Sequence, residues 1–263
     1  MSLVQSLLLG ILQGLTEFLP VSSSGHLVIV KHFLGIEAPQ LFDIILHLGT
    51  LSAVVLMFWK PIVNIVGAII RWIIRKTTDQ DKDYLPIVIP ALIATFITAI
   101  IGFTVAKMNV ALTPRMVAVL WIITGLLLIG VSFFKGEKTY KTMKIHHGVI
   151  IGIAQGLGTL PGISRSGITI AGGLASGLER EYAGEFAFLL AIPAILGAFV
   201  LELKDLGSMT AVVSLPALMI GFAASFLVGI LALKILMPIV KKGKLYWFAV
   251  YLIPLGIVGL ILL

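Results

Sequence analysis

Residues 10–26 read GILQGLTEFLPVSSSGH, and residues 152–168 read GIAQGLGTLPGISRSGI. Laid over one another without a gap, they match at Gly10/Gly152, Ile11/Ile153, Gln13/Gln155, Gly14/Gly156, Leu15/Leu157, Ser22/Ser164, Ser24/Ser166 and Gly25/Gly167. Several of these matches are polar residues or glycines, which a hydrocarbon-rich composition does not align by chance. A repeat at a fixed offset is read before any local signal. It makes the chain one membrane domain, 1–263, built of two related halves of about 1–135 and 143–263.

Of the 263 residues, 59% are hydrophobic and 12% charged, against roughly 25% charged in an average soluble domain. So few charges cannot make a water-facing surface, so lipid must cover the rest. The net charge of +7 sits in short loops between apolar runs, where it sets orientation in the membrane, and nucleic acid is discarded as a partner. The opening MSLVQSLLLGILQGL has no basic residue before its apolar run and no small-x-small cleavage site, so it reads as mature protein. Cysteine is absent, which removes disulfides and thiolate metal sites.

Six apolar runs, 41–59, 85–106, 116–134, 182–202, 215–236 and 246–263, approach the 20 or so residues that span a bilayer as helices. Two pairs of shorter pieces, 2–15 with 25–35 and 147–157 with 167–178, are each broken by a polar Gly/Pro/Ser loop. Residues 62–75, bounded by Pro61, read as an interfacial helix. The expected fold is an all-α polytopic membrane protein with an inverted-topology repeat: six transmembrane helices plus two re-entrant helix pairs. Three crossings after each pair turn the second half upside down relative to the first. One face then collects Lys60, Arg71, Arg75, Lys76, Lys82, Lys135, Lys138, Lys141, Lys144, Arg180, Lys234, Lys241, Lys242 and Lys244, while the other holds Lys31, Lys107, Arg115 and Lys204. By the positive-inside rule both termini are extracytoplasmic in a multi-pass plasma-membrane protein.

Loops that dip in from opposite faces can share one chamber near the middle, where irregular backbone must line a protein-enclosed cavity. Gln13 and Glu17, four apart, share a helix face. A carboxylate at that depth calls for a cation, a proton-carrying role or an ion pair with Arg165. Ser22, Ser23 and Ser24 precede an apolar helix, so one of them caps it and the set favours an anion. Ser164, Arg165 and Ser166 repeat the pattern and add a planar guanidinium that grips phosphate oxygens. His26 has three open roles: general base for a serine, nucleophile, or proton donor to a leaving group. Asp43 and His47 share a face of the first crossing, with Glu185 at the corresponding place in the second half; supporting the loops through hydrogen bonds to their backbone is the expectation for them. His32, His146 and His147 read as interfacial.

The segment QGLTEFLPVSSSGH resembles the (E/Q)xxxE motif of the undecaprenyl-diphosphate phosphatase family of the bacitracin-resistance type, and PGISRSGIT, 161–169, fits its PGxSRSxxT motif throughout. The similarity runs along the whole chain, including EFAFLLAIP at 185–193. The resemblance implies an intramembrane hydrolase that removes the terminal phosphate of a polyprenyl diphosphate, giving the monophosphate carrier lipid for reuse in cell-wall (peptidoglycan) synthesis. It implies Glu17, Ser23, His26 and Arg165 in catalysis, with Gln13, Ser22, Ser24, Ser164, Ser166 and Thr169 contacting substrate. It also implies a divalent cation, Mg²⁺ or Ca²⁺, on Glu17 and Gln13. The neutral amide of Gln13, where the family pattern also allows Glu, leaves most of that binding to Glu17. Ser23 is the expected nucleophile with His26 taking its proton; in the variant, His26 attacks or activates water. The prenyl tail can lie between helices in continuity with lipid, and a homodimer is allowed.

The alternative from another class is a lipid or small-molecule transporter or flippase with a midplane phosphate site, the usual use of inverted repeats. A second class of membrane lipid phosphatase needs a histidine five residues past Ser-Arg followed by an aspartate, and SGITIAGGL after Arg165 has neither.

Overall fold

The computed structural model describes residues 1–108, 113–203 and 213–262. Among these the regular structure is helical: α1 Leu3–Phe18, α2 Ser23–Leu34, α3 Gln40–Met57, α4 Trp59–Ile73, α5 Val88–Lys107, α6 Pro114–Ser132, α7 Ile145–Leu157, α8 Arg165–Ala175, α9 Arg180–Glu202, α10 Leu215–Lys241 and α11 Tyr246–Leu262. Short 3₁₀ turns at Asp79–Asp83, Leu85–Ile87 and Tyr140–Thr142 join them. Five segments are long and apolar enough to cross a membrane; α11, at 17 residues, is slightly shorter and packs along α6. The protein is therefore an all-α polytopic membrane protein.

Helix ends follow local chemistry. Ser2 and Gln5 form a capping box on α1, Thr113 caps α6 ahead of Pro114, and Gly35, at φ 58, closes α2 in the left-handed region. Three differences from the sequence reading matter. First, α1 runs through Glu17 to Phe18 and α2 begins at Ser23, so both residues stand on helices and the connecting loop is only 19–22. Second, Pro61 lies inside the first turn of α4, where a missing N–H costs nothing. Third, His147 is fully buried and caps its own helix, its Nδ1 accepting from the Lys144 N–H at 3.0 Å. Lys234, counted with the loops, lies within α10 near its end, and Lys204 falls outside the described residues.

At 16 and 13 residues, α1 and α7 are too short to span about 30 Å at 1.5 Å per residue. Each folds back into a hairpin with the helix after it, and each packs on a spanning helix outside its own hairpin, α1 on α10 and α7 on α5. Glycine makes both seams: a Cβ on Gly10 would stand 2.5 Å from the Gly221 carbonyl, and one on Gly152 2.7 Å from the Ala94 Cα. Close backbone approach through small residues is the usual way helices associate in lipid. An aromatic cluster ties the end of α1 to α9 and to the α3–α4 junction, with Phe188 edge-on to Phe18 at 5.6 Å and stacked on Phe58 at 5.8 Å. The outward side chains of α5, Leu92, Phe96 and Ile100 among them, are exposed for lipid.

Candidate active site

The two hairpin tips meet. Pro20 of the first lies against Gly167 at the start of α8, where a Cβ would come within 3.0 Å of the proline ring. Arg165, the first residue of α8, turns its Nη2 onto Glu17 Oε1. Of the alternatives for a buried carboxylate, the ion pair with Arg165 is thus the one made, linking residues 148 apart in sequence.

Around that pair the polar residues are arranged in order. On α1, Gln13 Nε2 donates to Glu17 Oε2 at 2.8 Å, the contact that four-residue spacing allows. Ser23 Oγ donates to the same Oε2 at 2.6 Å, and His47 Nε2 from α3 stands 3.4 Å from it. The Glu17 side chain is only 3% exposed, so water does little to solvate it. Ser22 is a non-glycine residue at φ 69, and the turn it makes aims α2 at Glu17. Ser22 Oγ accepts from the Gly25 N–H at 3.2 Å, and Ser164 Oγ accepts from the Gly167 N–H at 3.1 Å. Both serines are N-caps, so the first-turn N–H groups of two helices and the Arg165 guanidinium gather at one place, an environment for phosphate.

The expected Ser23–His26 hydrogen bond is not the one formed. His26 Nδ1 lies 2.8 Å from the Ser22 carbonyl and its Nε2 2.8 Å from the Tyr251 hydroxyl, while Ser23 turns to Glu17. The reason is geometric: His26 follows Ser23 by three positions and reaches back to the carbonyl of Ser22, four before it. His47 likewise contacts the Glu17 carboxylate itself rather than a loop backbone. Asp43 instead takes both its oxygens to Lys31 at 2.6 Å, and Glu185 accepts from Tyr140 at 2.9 Å, away from the tips. Ser24 lies 3.5 Å from Ser22 and Ser166 3.2 Å from Ser164, at the rims of the two caps. Thr169 donates to the Arg165 carbonyl at 2.6 Å and braces the first turn of α8.

Residues of α6 and α11 complete the wall. Trp121 lies against the His26 ring at 4.7 Å between centroids. A Cβ on Gly25 would come within 2.8 Å of the Trp121 Nε1. Thr124 Oγ1 accepts from the Ser164 N–H at 3.4 Å. Trp121, Thr124 and Tyr251 were not singled out from the sequence. The available signal was weak: each is a polar atom inside an apolar run, and such atoms seek partners when buried.

Two buried polar atoms here have no partner, Gln13 Oε1 and Trp121 Nε1. An unmet acceptor costs about 1–3 kcal/mol, and Gln13 Oε1 sits beside a carboxylate. Among the described residues there is no group of three or more His, Cys, Asp or Glu fit to hold a metal ion. One carboxylate plus one amide oxygen still fits an ion such as Mg²⁺, which keeps several waters and takes substrate phosphate oxygens.

Comparison with known proteins gives the following. The profile of the family described as "Bacitracin resistance protein BacA" matches residues 6–258. A protein of Treponema denticola named undecaprenyl-diphosphatase is 47% identical over 98% of this chain and 96% of its own. Proteins of the same name from Carboxydothermus hydrogenoformans and Methanosphaera stadtmanae are 41% and 39% identical, each over 100% of this chain and 98% of theirs.

Proposed function

Because the chain belongs to the bacitracin resistance protein BacA family, we propose that it is an intramembrane phosphatase of undecaprenyl diphosphate. It releases the terminal phosphate and leaves the polyprenyl monophosphate. The observation that carries the reading is the meeting of Arg165 and Glu17 between two serine-capped helix starts. Phosphoryl transfer demands mostly positioning and neutralisation of charge on the equatorial oxygens, and an arginine placed between the N-terminal ends of two helices supplies that. The relatives' names speak for an enzyme rather than for the transporter alternative.

In the first step Ser23 Oγ attacks the terminal phosphorus and the bond to the bridging oxygen breaks, so that the prenyl monophosphate departs. The serine proton moves along the hydrogen bond already made to Glu17 Oε2. His26 Nε2 then takes up the proton of the water that hydrolyses the phosphoserine, and Glu17 returns its proton to Ser23 Oγ as the bond from phosphorus to that oxygen breaks. Glu17 and Gln13 Oε1 would hold a divalent cation, Mg²⁺ or Ca²⁺, whose charge would neutralise that of the diphosphate.

The prenyl tail leaves the site by an apolar groove of about 690 Å³ lined by Leu48, Leu51 and Val55 of α3, Ile192 of α9 and Phe226 of α10. It runs along α3 from Leu48 and opens to the flank at Leu56 and Trp59, both exposed. Each hairpin enters and leaves on one face, the halves are inverted, and both termini lie outside the cytoplasm, as the clustering of basic residues supports.

The test is release of inorganic phosphate from farnesyl diphosphate in detergent with Mg²⁺ or Ca²⁺ present. The wild type turns over, and Glu17→Ala, Ser23→Ala, His26→Ala and Arg165→Ala each fall by about 100-fold or more. A silent wild type removes the enzyme reading, and four variants near wild type remove the site.

A further inference from the structure

We infer that Tyr251 is the working partner of His26 Nε2: its hydroxyl holds that nitrogen by a hydrogen bond and carries to it the proton that His26 takes up. The inference rests on the proposed role of His26 and adds a residue from the other end of the chain, 225 positions away.

The two contacts of His26 determine the tautomer. Nδ1 is 2.8 Å from the Ser22 carbonyl oxygen, which only accepts, so Nδ1 carries hydrogen. In the neutral ring Nε2 is then an acceptor, and its partner at 2.8 Å, the Tyr251 hydroxyl, donates to it. The phenol ring lies nearly parallel to the imidazole, 12° apart with centroids at 5.8 Å, and Trp121 holds another side of the imidazole at 4.7 Å. His26 is 7% exposed, so rotation of its ring is opposed by packing as well as by two hydrogen bonds. Nε2 is thereby kept as the lone-pair nitrogen, pointed toward α11.

Turnover needs that nitrogen to change state. The single lone pair of Nε2 already accepts from the Tyr251 hydroxyl, so the proton of the attacking water reaches Nε2 through it: the Tyr251 O–H hydrogen passes to Nε2 as the Tyr251 oxygen takes a proton from the water. One O–H bond of the water and the original O–H bond of Tyr251 break, one N–H bond and one new O–H bond form, and the charged Nε2–H then donates to the Tyr251 oxygen. A hydroxyl can pass a proton in this way; a benzyl side chain of the same shape cannot.

The experiment is Tyr251→Phe, assayed for phosphate release from farnesyl diphosphate alone and combined with His26→Ala. Shape and packing are conserved, so the protein remains monodisperse and KM stays within about twofold, while kcat falls about 10- to 100-fold, the scale seen when groups that orient a ligating histidine are removed. In the His26→Ala background Tyr251→Phe costs nothing further, because residues acting as a unit are not additive. The imidazole ¹⁵N resonances of His26 give a reading independent of activity: Nδ1–H with Nε2 accepting a hydrogen bond in the wild type, and in Tyr251→Phe the same Nδ1–H with the Nε2 resonance shifted toward that of an unbonded lone pair. Unchanged kcat with an unchanged ¹⁵N pattern overturns the inference, as does an equal loss in both backgrounds. Full activity of His26→Ala would overturn it together with the role of His26, whereas a silent wild type would strike the enzyme reading first.

Discussion

Replacing Arg165 by alanine strands a carboxylate in the protein interior. The Glu17 side chain is 3% exposed, and Arg165 is the partner on Oε1, while Gln13, Ser23 and His47 gather on Oε2. Removing one member of a buried ion pair costs about 3–5 kcal/mol, because the other charge remains buried. His47, at 3.4 Å, offers partial compensation at a distance too long for a good hydrogen bond, which puts the expected loss near 3 kcal/mol. Taking about 2–4 °C per kcal/mol for a large domain, Arg165→Ala should melt about 6–12 °C below wild type in detergent. Glu17→Gln should cost less, since Arg165 is 21% exposed and can turn to water. The decisive sample is Glu17→Gln/Arg165→Ala, in which no charge is stranded: it should recover at least half of the lost melting temperature while remaining inactive in phosphate release. Arg165→Ala melting with the wild type, or the double variant melting lower still, would refute the reasoning that the pair is a charge-compensated unit.

Gly25→Ala sets a methyl 2.8 Å from Trp121 Nε1 and 3.1 Å from Ser22 Oγ. It should reduce kcat at least about 10-fold by moving His26, with a melting temperature close to wild type. Gly14→Leu, whose Cβ would meet the Ser225 carbonyl at 2.7 Å, should part α1 from α10 and abolish monodisperse protein by size exclusion, whereas Gly130→Ala, with nothing within 4 Å, should leave the profile intact. Gln13→Glu adds a second carboxylate beside Glu17. In a titration of phosphate release after chelation, it should lower the Mg²⁺ concentration for half-maximal rate about 10-fold, equivalent to about 1.4 kcal/mol. A half-point that does not move would argue that Gln13 faces no cation.

The helices were legible because spanning segments announce themselves by length and apolar composition, and the broken pairs by polar residues where none belong. Their ends were less so: the first apolar piece stops at 15 in the sequence because polar residues follow, yet α1 runs on to Phe18 with Glu17 accommodated by Gln13 and Ser23. Interactions within a segment followed from spacing, as with Gln13 and Glu17. Those between distant segments did not. The partner of His26 turned out to be Tyr251 rather than Ser23, and His47 reached Glu17 itself, because such contacts depend on how helices cross and not on any local period. Repetition helped where spacing could not: Ser22 and Ser164, paired in the alignment, do the same capping work at the two tips.

The packing of each short helix on a partner distant in sequence, α1 lying on α10 and α7 on α5, bears on how the protein is made. About 200 residues separate Phe18 from the start of α10 at Leu215, roughly 10–40 s of synthesis at 5–20 residues per second. During that interval the first hairpin must wait in or beside the translocation machinery with Glu17 lacking both Arg165 and its seat. A ribosome-bound chain ending before residue 215 should therefore hold the hairpin in a protease-sensitive state, and two halves produced separately would each display an unfilled glycine seam that only the other can occupy.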